Sequence, residues 1–147
     1  MSNKKSRREI RLNVIQVLYK YELLNEAIDV PAAVTEFDFI DIEETKRLSL
    51  IASNYKFLRK TLSSLLNSDW SWERLSPVVR AIILNGAFEL FNNQPKIVFN
   101  ESVEITKMFF LPASDRLNVT QEESYYKFVN GILENYYKLI QLMDKAK

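Results

Sequence analysis

The sequence predicts an all-α protein, a single compact domain in which about six to seven helices form two small packed bundles. The chain has only two glycines and four prolines in 147 residues, which leaves few turns and favours long helices. Apolar residues recur at intervals of three and four, and no segment of useful length alternates as a strand would. A chain of this length buries roughly 68–70% of its unfolded surface, so its core needs no disulfide or metal.

The first helix is predicted to begin at the N-terminal basic segment. Ser6, followed three residues later by Glu9, matches a capping box, which marks a helix start. The apolar residues that follow are spaced by four and three residues and predict one buried stripe: Ile10, Val14, Val17, Tyr21 and Leu24. Asn25 lies near the predicted end of this helix.

Two further helices are predicted before the most polar break in the chain. Asp29 can cap a short helix that starts near Pro31, because proline is tolerated in a first helical turn. A single long helix is then expected from about Glu43 to Leu66. The polar run at 67–69 follows it, so we predict an N-terminal half of residues 1–68 and a C-terminal half of residues 69–147.

The second half is predicted to hold three helices. Ser76-Pro77 opens the first, which extends to about residue 91, and the second covers about residues 96–110. Thr120 and Glu123 form a second capping-box pattern ahead of a last helix that extends to about residue 143.

The composition excludes several kinds of chemistry. The sequence contains no cysteine and no histidine. Disulfides, thiol nucleophiles, Ser-His-Asp triads and the usual structural zinc sites all depend on those residues. We therefore expect no enzyme activity, no metal, no cofactor and no small-molecule substrate. No apolar run approaches the ~20 residues of a membrane span and no secretory signal is recognisable, so we expect a cytoplasmic protein without a membrane partner.

The positive charge of the chain is concentrated at its N-terminus. The formal net charge is +1, yet five of the 20 cations and only one of the 19 acids lie in the first eleven residues. We call these five cations the basic head: Lys4, Lys5, Arg7, Arg8 and Arg11. A cationic segment that leads into an amphipathic helix is typical of a protein that binds a polyanion.

The last helix contributes a second candidate region. Phe128 lies at the edge of its apolar face, with Lys127 further out. Such a pair can stack on an unpaired base while the lysine meets a phosphate, although an aromatic at this position can equally pack against a neighbouring helix. Gly131 costs the helix about 1 kcal/mol relative to alanine, so we expect another helix to approach closely there.

These segments resemble the NusB family of transcription antitermination factors. Three blocks carry the resemblance, in the order that the family shows: residues 6–19 with the basic head, residues 75–90 from Leu75-Ser76-Pro77 to Phe88-Glu89-Leu90, and residues 95–107 followed by Lys127 to Glu134. Residues 25–70 match only as a helical pattern.

The resemblance implies a fold of two small helical bundles that binds the boxA segment of nascent ribosomal RNA leaders. It also implies two partners, the ribosomal protein NusE and the RNA polymerase antitermination complex. With the basic head included, the residues expected to contact RNA are Lys4, Lys5, Arg7, Arg8, Arg11, Lys127 and Phe128. The helix of the second block is expected to face the protein partner through Val79, Arg80 and Ile83.

The sequence departs from the family pattern in four places, one of which is Tyr126, an additional aromatic before Lys127 that can stack on a base or pack in the fold. Val79 stands where the family often has an acid, and Leu84 stands where it often has an arginine, which weakens the inference about NusE contact. The segment 108–126 is also longer than usual, and we expect its residues 111–116 to form a surface insertion beside the RNA site.

A second functional hypothesis is a helical protein–protein adaptor without specific RNA binding, whose basic head is only a flexible tail. Deletion of residues 1–11 separates the two hypotheses, since it abolishes RNA binding under the first and leaves partner affinity unchanged under the second.

Overall fold

The computed structural model describes residues 4–110 and 119–145, except for the side chains of residues 119–123. Within these residues the chain forms seven α-helices, one short 3-10 turn at Trp72–Arg74 and no strand, so the all-α prediction is confirmed. The helices are α1 (Arg7–Leu24), α2 (Val30–Glu36), α3 (Ile42–Ser53), α4 (Tyr55–Ser64), α5 (Pro77–Glu89), α6 (Pro95–Phe109) and α7 (Val119–Lys145). None of the described helices is long and apolar enough to cross a bilayer.

Helix α5 lies at the centre of the fold. It packs against α1, α3, α4, α6 and α7, and its residues from Val79 to Ala87 are all buried. A helix that is apolar on nearly every side needs neighbours all around it. The buried side chains form one continuous cluster that includes residues from both predicted halves, and the division into residues 1–68 and 69–147 stays a prediction.

Helix α1 runs antiparallel to α5. Arg11 near the start of α1 contacts Glu89 at the end of α5, and Glu22 near the end of α1 contacts Arg80 near the start of α5. The stripe predicted on α1 is buried at Val14, Val17 and Tyr21. Leu24 was wrongly included in that stripe. It is 53% exposed, because α1 ends there and the next residue adopts a left-handed conformation that turns the chain away.

The single helix predicted over about 43–66 is two helices in the structure. They meet at Asn54, whose side-chain amide donates a hydrogen bond to the Leu50 carbonyl at 2.8 Å. A short polar side chain that bonds the backbone of the preceding turn competes with helical hydrogen bonding, which explains the break. The sequence prediction treated Asn54 as an ordinary helical residue because the apolar spacing continues through it.

The glycine that permits close helix packing is Gly86, not Gly131. A Cβ atom at Gly86 on α5 would lie 2.8 Å from Cδ1 of Leu133 on α7 and 3.1 Å from the hydroxyl of Ser102 on α6. A Cβ at Gly131 would meet nothing within 4 Å. The close approach expected at Gly131 is therefore wrong, because that position lies on the outer side of α7. The side chains of the second capping box, Thr120 and Glu123, and the predicted insertion at 111–116 lie outside the described part of the chain.

Candidate nucleic-acid interface

The basic head is ordered by the start of α1. Ser6 is the N-cap, and its hydroxyl accepts a hydrogen bond from the Glu9 backbone N–H at 3.1 Å, which satisfies one donor of the first turn. The second half of the head is therefore a helical turn and not a flexible tail.

Lys5 is held against the loop before α3. Its ammonium donates to the Phe39 carbonyl at 2.5 Å and to the Glu44 carboxylate at 2.7 Å, and it lies 3.2 Å from Asp41. Burial lowers the pKa of Lys5, but the hydrogen bonds with Glu44 and Asp41 outweigh that effect and raise it. Lys5 thus ties the head to α3 and presents little of its charge to solvent.

Glu44 receives several donors at once. Its carboxylate accepts from Lys5, from the Asn13 side chain at 2.8 Å and from the Asp41 backbone N–H at 3.1 Å. Burial by itself raises the pKa of Glu44. The hydrogen bonds from Asn13, Lys5 and Asp41 overcome that effect and hold the pKa at about 2. The residue therefore stays ionised inside the protein.

Arg8 forms a bidentate ion pair with Glu101 on α6. Its Nε lies 3.0 Å from Oε1 and its Nη2 lies 2.8 Å from Oε2. These hydrogen bonds lower the pKa of Glu101 and raise that of Arg8. The third nitrogen, Nη1, forms no hydrogen bond with a described residue, and the Arg8 side chain is largely exposed. Arg8 can thus contact a further acceptor while it remains paired.

Arg11 is buried, with 5% of its surface exposed. Its guanidinium donates to both carboxylate oxygens of Glu89, at 2.8 to 3.0 Å. Glu89 also accepts from Asn85 at 2.8 Å and from Asn93 at 3.1 Å. A buried charge pair with this many hydrogen bonds holds α1 against α5. Arg11 therefore stabilises the fold and has little surface that RNA could contact.

Lys4 and Arg7 differ from the other head cations. Both side chains are exposed, and neither forms an ion pair with a described residue. Of the five predicted contacts in the head, these two and the outer edge of Arg8 are the ones that face solvent.

One face of α6 extends from the head toward α7. Glu101 pairs with Arg8, Glu104 lies 3.4 Å from Lys107, and the Lys107 ammonium lies 4.8 Å from the centre of the Tyr126 ring. Glu101 and Lys107 are separated by about 9 Å along the helix, from the rise of 1.5 Å per residue. This path, which the sequence prediction missed, ends at Tyr126, and the next residue of α7, Lys127, is exposed.

Phe128 lies in a separate hollow. It is half-buried against the core and lines a space of about 210 Å³ together with Trp70, Arg74, Val79 and Tyr125. The structure thus places Phe128 on the side of α7 that faces α5, while Tyr126 is the aromatic on the α6 side. Both roles considered for Phe128, packing and contact with a ligand, fit a half-buried ring.

The three residues predicted to face a protein partner are inside the protein. Val79, Arg80 and Ile83 are 1%, 8% and 0% exposed. Arg80 forms an ion pair with the Glu22 carboxylate at 3.0 Å and donates to the backbone carbonyls of Glu22 and Trp72, each at 3.0 Å, so its charge is used between α1 and α5. Their burial argues against these side chains as a docking surface and corrects that prediction. These residues are buried because α5 lies at the centre of the fold, with other helices packed around it.

Among the residues that the structure describes, no group of three or more acidic side chains is arranged to hold a metal ion. The residues that sequence reasoning missed are the acids Glu89 and Glu101 and the cation Lys107. The Asn130 amide donates to Glu134 on the same helix at 2.9 Å, whereas Glu101 accepts from Arg8 of the basic head. Nothing in local spacing links residue 8 to residue 101.

The fold is that of a known class of all-helical proteins. The structure superimposes on T. maritima NusB with a TM-score of 0.67 and 25% sequence identity, covering 92% of this chain and 93% of that one. The sequence pattern described as the NusB family matches residues 8–138. The chain belongs to the NusB family.

Similar proteins carry the name transcription antitermination protein NusB. The protein of Methylacidiphilum infernorum is 32% identical over 143 residues, which cover 90% of this chain and 91% of that protein. The protein of Staphylococcus haemolyticus is 29% identical over 141 residues, covering 88% and 98%. The similarity therefore extends over nearly the whole of each chain.

Proposed function

We propose that this protein is a transcription antitermination factor that binds boxA-type single-stranded RNA in nascent ribosomal RNA leaders. The observation that carries the proposal is membership of the NusB family over residues 8–138, together with a basic head that is ordered and exposes Lys4, Arg7 and the edge of Arg8. The protein acts by binding in the cytoplasm, and catalysis has no part in the proposal.

The phosphate contacts come from the exposed cations. Arg8 lies at one end of the α6 path, with the exposed Lys4 and Arg7 near it in sequence, and Lys107 lies at the other end, where Tyr126 precedes the exposed Lys127. Contacts of this kind set the position and register of a strand and carry no sequence information by themselves. Glu101 and Glu104 lie between the two ends, so the strand crosses a region of mixed charge.

The base contacts come from aromatic side chains at the start of α7. Tyr126 lies beside Lys107, and the exposed part of Phe128 lies on the other side of Lys127. Sequence-specific RNA recognition uses bases that are unstacked and placed on aromatic or guanidinium planes. Selectivity for boxA therefore depends on the aromatic side chains of α7. Affinity depends on these rings and on the cations at both ends of the α6 path.

NusE and the RNA polymerase antitermination complex are the proposed protein partners. Since Val79, Arg80 and Ile83 are buried, NusE contacts have to come from other, exposed residues. We expect NusE to raise the affinity for boxA RNA. If NusE binds both this protein and the RNA, its contact with the strand becomes intramolecular once one partner is bound.

The experiment measures the affinity of a labelled boxA-type RNA and of a scrambled RNA, with and without purified NusE. Deletion of residues 1–11 is unsuitable, because it removes Arg11 and exposes Glu89. Lys4→Ala with Arg7→Ala removes two exposed cations, and Lys56→Ala with Lys60→Ala on α4 is the control of equal charge. We expect the first pair to weaken boxA binding strongly and the second to have little effect. Equal binding of boxA and scrambled RNA, or binding of NusE by a protein with no measurable affinity for either RNA, supports the adaptor hypothesis and overturns the proposal.

A further inference from the structure

The hollow beside Phe128 is built around an exposed tryptophan. Trp70 is 49% exposed and lies in the loop between α4 and α5, where its backbone N–H donates to the Asn67 carbonyl at 2.9 Å. Arg74 donates to the Asp69 carbonyl at 2.5 Å, and its guanidinium lies 5.3 Å from the centre of the Trp70 ring. The indole is thus held in place by its own loop although half of it faces solvent.

Two more aromatic rings from α7 face the same space. Phe128 and Tyr125 line it, and Tyr125 is stacked on Phe110 with ring centres 4.2 Å apart. The polar groups at its edge are Arg74 and the hydroxyls of Ser76 and Ser124. A single exposed apolar side chain is ordinary on a protein surface. Three aromatic rings and an arginine around one hollow are a specific arrangement.

The size and chemistry of the hollow fit one flat aromatic group. Its volume of about 210 Å³ is below the roughly 300–1,000 Å³ of pockets for drug-sized ligands and cofactors. An indole with a guanidinium on one side offers a stacking plane of the kind that single-stranded nucleic acid uses, and the hydroxyls and the guanidinium can bond a base edge. Lys127, the residue before Phe128 in α7, is exposed and is the cation nearest in sequence for the adjoining phosphate.

We propose that this hollow is a subsite for one unpaired RNA base, which stacks on Trp70 at the far end of the strand from the basic head. The inference rests on the proposed RNA binding and extends it beyond Phe128 to Trp70 and Arg74. The strand runs from Lys4, Arg7 and Arg8 along the outer face of α6, crosses α7 at Tyr126 and Lys127, and places a base in the hollow.

The chain offers an internal probe for this subsite. It has two tryptophans, of which Trp72 is 4% exposed and donates to Glu22 at 3.1 Å, while Trp70 is the exposed one. Quenching of tryptophan fluorescence on addition of boxA-type RNA therefore reports on Trp70. We expect quenching in the unmodified protein and none in Trp70→Phe, which keeps a ring for stacking and preserves most of the affinity.

Affinity measurements complete the test. We expect Trp70→Ala to bind boxA-type RNA about 5- to 150-fold more weakly, the range that loss of one stacked base implies. The salt dependence of binding should not change, because no phosphate contact is removed. An RNA with one abasic nucleotide at the right position should lose the same factor with the unmodified protein and lose nothing more with Trp70→Ala.

The outcomes separate the two proposals. If boxA RNA binds with full affinity to Trp70→Ala and does not quench the unmodified protein, the subsite is overturned and the proposed function stands. Loss of NusE binding in Trp70→Ala with unchanged RNA affinity also overturns the subsite and makes the hollow a protein contact. If the unmodified protein binds no RNA, both proposals fail.

Discussion

The basic head and the start of α7 are the two regions to which the sequence assigns RNA contacts, and they use their side chains differently. In the head, Lys5, Arg8 and Arg11 are each paired with an acid from another part of the chain. At the start of α7, Phe128 lines a hollow and Tyr126 lies against a lysine. The comparison teaches that a count of cations overstates the number of phosphate contacts, because some of them hold the fold together.

The largest effect is expected from the buried member of the head. Arg11→Ala leaves the Glu89 carboxylate buried without its main partner, which typically costs about 3–5 kcal/mol. Urea denaturation measures the free energy of unfolding. The control is Arg7→Ala, an exposed change four residues away, for which we expect less than about 0.5 kcal/mol. If the two variants are equally stable, the distinction between paired and exposed head cations is wrong.

The two glycines test which side of α7 is packed. Gly86→Ala puts a Cβ 2.8 Å from Leu133, and overpacking of this kind typically costs about 1–3 kcal/mol. Gly131→Ala meets nothing and should stabilise the helix by up to about 1 kcal/mol. Thermal and urea unfolding of both variants check these opposite signs. Destabilisation by Gly131→Ala would show that the outer side of α7 is covered.

The attachment of the head to α3 should depend on acid. The pKa of Glu44 is about 2 in the folded protein and about 4.5 when it is unperturbed. A lowered pKa stabilises the protein fully above about pH 4.5, and this contribution disappears as the pH falls toward 2. We expect the melting temperature to fall across that window.

Glu44→Gln isolates the contribution of this one carboxylate. It should lower stability by about 1.5–3 kcal/mol at neutral pH, as expected for loss of hydrogen bonds to a charged group. The fall in melting temperature between pH 4.5 and 2 should also be smaller in this variant. An acid dependence identical to that of the unmodified protein would assign the effect to other carboxylates.

The smallest effect is the salt dependence of RNA binding, which counts the head cations that meet phosphates. Each contact to a single strand changes the slope of log K against log salt by about 0.7. Lys4, Arg7 and Arg8 together predict about −2.1 from the head, whereas all five cations would give about −3.5. Arg7→Ala should make the slope shallower by about 0.7, and Lys5→Ala should leave it unchanged. Equal changes for both variants would place Lys5 on the RNA.

Much of the fold could be predicted from the sequence. The starts of α1, α2 and α5 follow from Ser6, from Asp29 with Pro31, and from Ser76-Pro77, because capping and proline preferences act within one turn. The break at Asn54 was missed because a side-chain bond to the backbone leaves the apolar spacing intact. Leu24 was misplaced because an apolar stripe predicts a buried face and does not say where α1 itself ends.

The candidate site was predictable only in part. Local pattern identified the basic head and the aromatic and lysine at 127–128, since charge and helical spacing are visible in a short segment. The partners of those residues were not predictable, because Arg8 meets Glu101 and Arg11 meets Glu89 across more than 75 positions. Trp70 has no local signal for a role in the site either, because the residues that share its hollow, Tyr125 and Phe128, lie more than 50 positions away.

The sequence by itself therefore determined an all-helical chain, the starts of three of its helices and a cationic start. Capping, helical periodicity and charge density depend only on neighbouring residues, so they can be read along the chain. The tertiary structure alone decided which cations are exposed, which glycine lets two helices meet and which aromatic rings share a hollow. Those properties depend on how α1, α6 and α7 pack around α5, and contacts between distant segments leave no local signal.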